Sequence, residues 1–121
     1  MKLYTTITVF YMLLIFFLSH LPQEEVSVII VSGPDNIDLF LHFIEYLILG
    51  FLLFQSITKD GFPINPIYGS ILIGISFAIS DEFHQSFVPG RHMSSMDMLF
   101  DSVGIFFGTF SSRFYDYPSK I

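Results

Sequence analysis

Apolar residues run through this chain in blocks, and each block stops at a cluster of polar or turn-forming residues. Leu3 to Leu18 is nearly continuous hydrocarbon and ends at Ser19-His20-Leu21-Pro22. A second block begins at Asp38 and continues to Ile57, after which Lys59-Asp60-Gly61 reads as a tight turn. Pro63 and Pro66 open a third block that lasts to about Ser80; proline suits the first turn of a helix, where its missing N–H is no loss. A fourth block follows Pro89-Gly90 and occupies about 95–112. Blocks of this length and character match membrane spans, which need roughly 20 apolar residues. The first is the shortest, and flanking Tyr and Thr extend it. Between the first two blocks, Gln23–Ile37 carries Glu24, Glu25, Asp35 and a Ser-Gly-Pro turn. Within it the β-branched run Val26–Val31 predicts a short strand or an interfacial segment, too short to cross a bilayer. The pattern therefore predicts an all-α membrane protein with four transmembrane helices, at about 3–18, 38–57, 64–80 and 95–112, and a polar hairpin over 80–97.

Composition agrees with the pattern. Hydrophobic residues make up 52% of the 121 positions and charged residues only 13%, with 16 Phe, whereas a soluble domain of this size needs far more polar surface. The length allows one domain, 1–121. With no cysteine, disulfides and thiolate metal sites are excluded. The net charge of −6 argues against a nucleic-acid partner, which requires a basic face. Lys2 ahead of an apolar run is also how a secretory signal begins. No small-x-small cleavage site follows, however, and further apolar blocks lie downstream, so the first helix is expected to be retained.

The few cations set an orientation. Four spans leave both termini on one side, together with Lys2, Lys59, Arg113 and Lys120, while Arg91 falls on the other. The positive-inside rule then predicts that both termini and the Lys59 turn are cytoplasmic and that the hairpin 80–97 is on the outer side.

In that arrangement most of the ionisable residues converge. Asp38, His42 and Glu45 stand at the outer end of the second span, Asp81, Glu82 and His84 at that of the third, and Asp97 and Asp101 at that of the fourth. Asp38, His42 and Glu45 share one helix face by their i, i+4, i+7 spacing. Asp97, Asp101, Gly104 and Gly108 form a second such stripe, and Gly74, Ala78, Asp81 and Gln85 a third. Each of the last two is acidic at its outer end and small below, so a neighbouring helix can come close. Glu45 would lie about 10 Å deeper than Asp38 at the α-helical rise. An ionised carboxylate at that depth costs at least ~2.5 kcal/mol and must face the bundle interior. The expected site is an outward-facing polar pocket of Asp38, His42, Glu45, Asp81, Glu82, His84, Gln85, Asp97 and Asp101, with Arg91 folded over it from the hairpin. His20 and His92 are expected in solvent. The Phe-rich faces (Phe16, Phe17, Phe51, Phe54, Phe106, Phe107) are expected against lipid or neighbouring helices.

The same residues carry a family resemblance. Asp81-Glu82-Phe83-His84-Gln85-Ser86-Phe87-Val88-Pro89-Gly90-Arg91, followed by Ser94 and Asp97, is similar to the Asp-Glu-x-x-Gln-x-Phe-x-Pro-Gly-Arg signature of VanZ-like membrane proteins. Asp38, His42, Phe43, Tyr46, Leu49 and Gly50 resemble the start of that family's second span, and Ser19-His20-Leu21-Pro22 its Ser-x-x-Pro. Two positions depart from the pattern: Leu39 replaces the usual lysine and Asp101 the usual asparagine, and both make the pocket more acidic. The resemblance implies a small polytopic protein of the bacterial cytoplasmic membrane. The family's founding member is linked to low-level teicoplanin resistance without a change in the peptidoglycan precursor.

Several chemistries fit these residue types. The expected function is binding of a cell-envelope ligand, a lipid headgroup or glycopeptide-type antibiotic, with membrane lipids as partners and no required cofactor. The alternative is an intramembrane enzyme acting on a lipid-linked phosphate or glycan, in which Arg91 clamps phosphate, His42 or His84 transfers protons and Asp81 or Glu82 orients them. A divalent metal held by Asp38, His42, Asp81, Glu82, His84 and Asp97 is a further candidate, since Asp38–His42 and Asp81–His84 can each chelate from one helical turn. In a purely structural role, Arg91 would pair with Glu82 or Asp97 and His42 with Glu45.

Overall fold

The computed structural model describes residues 2–19, 37–88 and 95–116, with residues 37, 38 and 116 as backbone only. Among them are four helices and no strand: α1 (Leu3–Ser19), α2 (Ile37–Lys59), α3 (Pro66–Gln85) and α4 (Ser95–Asp116). The expected strand or interfacial segment at Val26–Val31 lies outside the described residues, as do His20, Arg91 and His92.

Local signals explain most of the boundaries. Asn65 caps α3, its side-chain oxygen accepting from the backbone N–H groups of Ile67 at 2.9 Å and Tyr68 at 3.1 Å, with Pro66 in the first turn. The helix thus starts at Pro66, two residues after the expected 64. Its other end is a larger correction. The helix continues past Ser80 to Gln85, so Asp81, Glu82 and His84 sit on its last turn and a half rather than in a hairpin starting at 80. Apolar character ends at Ser80, but helical hydrogen bonding does not, because Asp81, Glu82 and Gln85 turn into the bundle and are buried there. α4 also runs beyond 112, to Asp116, although Arg113, Phe114 and Tyr115 in that last turn are exposed.

Cross-helix contacts define an up–down bundle. Thr8 of α1 meets Ser56 of α2 (2.6 Å) at one end, and Ser19 of α1 meets Asp81 of α3 (2.6 Å) at the other. His42 pairs with Asp101 and Gln55 with Ser112, so α2 and α4 run parallel to each other and antiparallel to α1 and α3. The α2–α4 pair is held unusually close. A Cβ at Gly104 would come within 2.5 Å of the Phe43 carbonyl oxygen, and one at Gly50 within 2.5 Å of the Ile105 carbonyl oxygen. Backbone therefore packs directly on backbone, as small-residue stripes permit. Ile15, Tyr46, Leu49, Leu53, Ala78 and Ile105 form the buried centre.

The polarity of the bundle is inverted relative to a water-soluble one. Phe10, Phe17, Tyr68, Leu72, Phe107 and Phe114 are exposed, while Asp81, Glu82, Asp101, Ser70, Thr109 and Ser112 are buried. Such an arrangement suits a surround of hydrocarbon, where apolar side chains need no shelter and polar ones do. By length and composition alone, α2 is the one described helix able to cross a bilayer, over Leu39–Lys59. The others fall short for visible reasons: α1 has 17 residues, and α3 and α4 include acids such as Asp81, Glu82, Asp97 and Asp101 that lower their hydropathy.

Candidate functional site

The end of the bundle where α1 and α3 finish and α2 and α4 begin holds two linked polar groups. The first centres on Asp81. Its Oδ2 accepts from the Ser19 hydroxyl at 2.6 Å and from the Tyr46 hydroxyl at 3.2 Å. One turn further along α3, the Gln85 amide lies 3.5 Å from the Ser19 carbonyl oxygen. Three helices thus close around a carboxylate that is only 2% exposed, and neutral donors solvate it in place of water.

The second group is formed by His42, Glu82 and Asp101, one from each of α2, α3 and α4. His42 Nδ1 and Asp101 Oδ1 share a hydrogen bond of 2.8 Å. Potential ligand atoms of all three side chains lie within 4.8 Å of one another. Asp101 is fully buried and Glu82 is 1% exposed. The second carboxylate oxygen of Asp101, Oδ2, is buried and has no hydrogen-bond partner among the described residues. Chemically the group offers one imidazole nitrogen and two carboxylates in a dry setting. Those donors can hold a proton, a cationic group of a ligand or a metal ion.

The remaining expected residues divide. Gln85 belongs to the Asp81 group. Asp97 stands half-buried one turn before Asp101, and Glu45 is half-buried on α2. His84 does not join the cluster: its ring is exposed and packs edge-on against Phe16, with ring centres 5.4 Å apart, and against Phe83. Helical geometry explains this. At about 100° per residue, Glu82 and His84 diverge to opposite flanks of Asp81, and the buried arc extends toward Glu82. The side chain of Asp38 and all of Arg91 lie outside the described residues. His42 is paired with Asp101, not Glu45, because the glycine stripe of α4 brings that helix closer than the next turn of α2. The metal set read from the sequence is likewise redrawn, with Asp101 joining His42 and Glu82, Asp81 engaged by hydroxyls and His84 apart.

Two contributors escaped a reading built on charge. Tyr46 and Ser19 are neutral, yet they supply the hydroxyls on Asp81. Tyr46 had a usable signal, since it stands four residues after His42 and shares its face. A separate groove of about 420 Å³ lies nearby, lined by Phe40, Phe43, Leu99, Phe100 and Val103. It is apolar throughout and includes none of the cluster residues.

A protein-family model described as VanZ/LLP1 matches residues 4–115. No curated protein and no solved structure matches the chain.

Proposed function

The chain belongs to the VanZ/LLP1 family, and from that premise we propose that it is a multi-pass protein of the cytoplasmic membrane that binds the polar part of a cell-envelope ligand at its outer end. The ligand class is a lipid headgroup or a glycopeptide-type antibiotic, and the role is envelope protection or antibiotic resistance. The observation that carries the reading is the convergence of His42, Asp81, Glu82 and Asp101 from three helices at one end of a bundle whose exterior is apolar. Buried carboxylates in a membrane protein are costly, and they are retained mainly where they do something. The buried carboxylates of Asp81, Glu82 and Asp101 favour ligands that present several hydrogen-bond donors or a cation. Lys2, Lys59 and Arg113 all lie toward the opposite end. The apolar groove beside the cluster supports an amphipathic ligand, since an acyl chain fits Phe40, Phe43 and Val103 while a polar group does not.

The test is a binding screen on purified protein in nanodiscs, using teicoplanin and lipids that differ only in headgroup. Wild type is compared with Arg91→Ala and Glu82→Gln. One ligand class should bind wild type saturably and bind both variants at least tenfold more weakly, with helical content unchanged. No saturable ligand, or equal affinity in all three proteins, would overturn the reading.

A further inference from the structure

We infer that His42, Glu82 and Asp101 form a binding site for a divalent cation, with zinc or manganese the best match to the donors. The inference deepens the reading of this end of the molecule as a binding site and rests on it. Three features of the structure lead there. The first is geometric: one donor atom from each of three different helices lies within 4.8 Å of the other two, and all three residues are buried. Donors on a single ion at about 2.0–2.2 Å stand roughly 3–4 Å apart, so a modest inward rotation of the side chains completes the set.

The second feature is the state of Asp101. One of its oxygens meets His42 at 2.8 Å, while the other is buried with no hydrogen-bond partner among the described residues. A buried acceptor left in that condition is expensive. A metal that takes the place of the proton shared by His42 Nδ1 and Asp101 Oδ1 gives the second oxygen a partner as well if the carboxylate binds it through both oxygens. The third feature is charge. Asp81, next to the group, already receives two hydroxyl donors. Glu82 and Asp101 are both carboxylic acids, brought from two helices to within ligand distance of one imidazole. A divalent ion matches a pair of carboxylates with a neutral imidazole as the third ligand.

The donors define the ion. One imidazole and two carboxylates, with no sulfur, suit zinc or manganese better than calcium, which prefers all-oxygen shells. Three protein ligands leave at least one position for water or for an oxygen of a bound ligand, the pattern of an exchangeable rather than a purely structural site.

The experiment uses the full-length protein in detergent, stripped with EDTA and titrated with Zn²⁺, Mn²⁺, Mg²⁺ or Ca²⁺ alone. One equivalent of Zn²⁺ or Mn²⁺ per chain should bind and raise Tm to a plateau. Asp101→Asn and Glu82→Gln should weaken binding at least tenfold, while Ser112→Ala, which touches Gln55 toward the opposite end of the bundle, should leave it within about threefold. Should the variants fold poorly, Mn²⁺ in the wild type gives an independent reading: pulsed electron paramagnetic resonance must detect one imidazole nitrogen coupled to the ion. Absence of stoichiometric binding, binding undiminished in Asp101→Asn, or a Mn²⁺ signal without nitrogen coupling would each overturn the site. Envelope-ligand binding is measured on the same stripped protein. If it persists there although no ion binds, the cation site fails and the wider reading survives. If the ion binds and no envelope ligand does, the reverse holds.

Discussion

Asp60 shows what a single carboxylate does at the end opposite the cluster. It stands in the turn after α2, where Gly61 adopts a φ of 77° that only glycine takes without strain. From there Asp60 Oδ2 accepts from the backbone N–H of Thr5 at 2.7 Å and from the Thr5 hydroxyl at 2.6 Å. Thr5 is the third residue of α1, so Asp60 supplies in trans the capping oxygen that a helix N-terminus usually takes from its own chain. The Lys2 ammonium donates to the Asp60 carbonyl and clasps the same turn. Burial pushes the Asp60 carboxyl upward, but the hydrogen bonds from the Thr5 side chain and from the backbone of Thr5 and Tyr4, with Lys2 nearby, outweigh it and hold the group below its ordinary value. A depressed carboxylate stabilises the fold at every pH above its unfolded pKa, about 3.9, and loses that contribution as pH falls through the lower folded value. Asp60→Ala should accordingly lower Tm by several degrees at pH 7, and by the same amount at pH 5. The gap to wild type should close only below about pH 4. Thermal melts in detergent across this range check it, and a gap that already closes near neutrality would remove Asp60 as the charged cap.

Among the elements, the α2–α4 pair depends on what α4 lacks. A Cβ at Gly108 would run into the backbone of Leu47 and Phe51 on α2, whereas one at Gly69 would meet only the movable ends of Ile57 and Ile64. Overpacking against side chains is absorbed by small rotations, and overpacking against a carbonyl moves a helix. Gly108→Ala should therefore destabilise by about 3 kcal/mol or more, and Gly69→Ala should stay within about 1 kcal/mol of wild type. Unfolding in mixed micelles would rank the two; equal effects would mean that the close helix contact is not what holds the pair. The stripe itself was legible in the sequence, because Asp97, Asp101, Gly104 and Gly108 repeat at helical spacing. The extent of α3 was not, since hydropathy measures what a helix shows to lipid and says nothing of inward-turned Asp81 and Gln85. Nor were the partners across helices. Asp81 meets Ser19, 62 positions away, and no local pattern encodes a contact that only tertiary packing creates.

The molecule as a whole places its His42–Glu82–Asp101 cluster at one end and its described permanent cations at the other. In an up–down bundle of four helices that asymmetry follows from connectivity: α1 and α3 end and α2 and α4 begin beside the cluster, while the Lys59 turn falls beside Lys2 and the last turn of α4. The sequence already contained this division, because it needs only the block order and the sign of a few charges. What it did not contain was how far the acids are withdrawn from solvent, which depends on the close α2–α4 approach. The arrangement makes orientation a sharp test. Cytoplasmic retention of Lys2, Lys59, Arg113 and Lys120 requires both termini inside and the His42–Glu82–Asp101 group toward the outer leaflet. Alkaline phosphatase fused after Ile121 should be inactive and green fluorescent protein at the same point fluorescent. Phosphatase fused after Pro34 should be active. Moving the balance by Lys59→Glu together with Arg113→Glu should raise phosphatase activity at the C-terminal fusion, since the charges that anchor that end would be gone. An active phosphatase after Ile121 in the wild type would put the cluster on the cytoplasmic side, out of reach of an extracellular antibiotic, and the envelope-ligand proposal would fall with it.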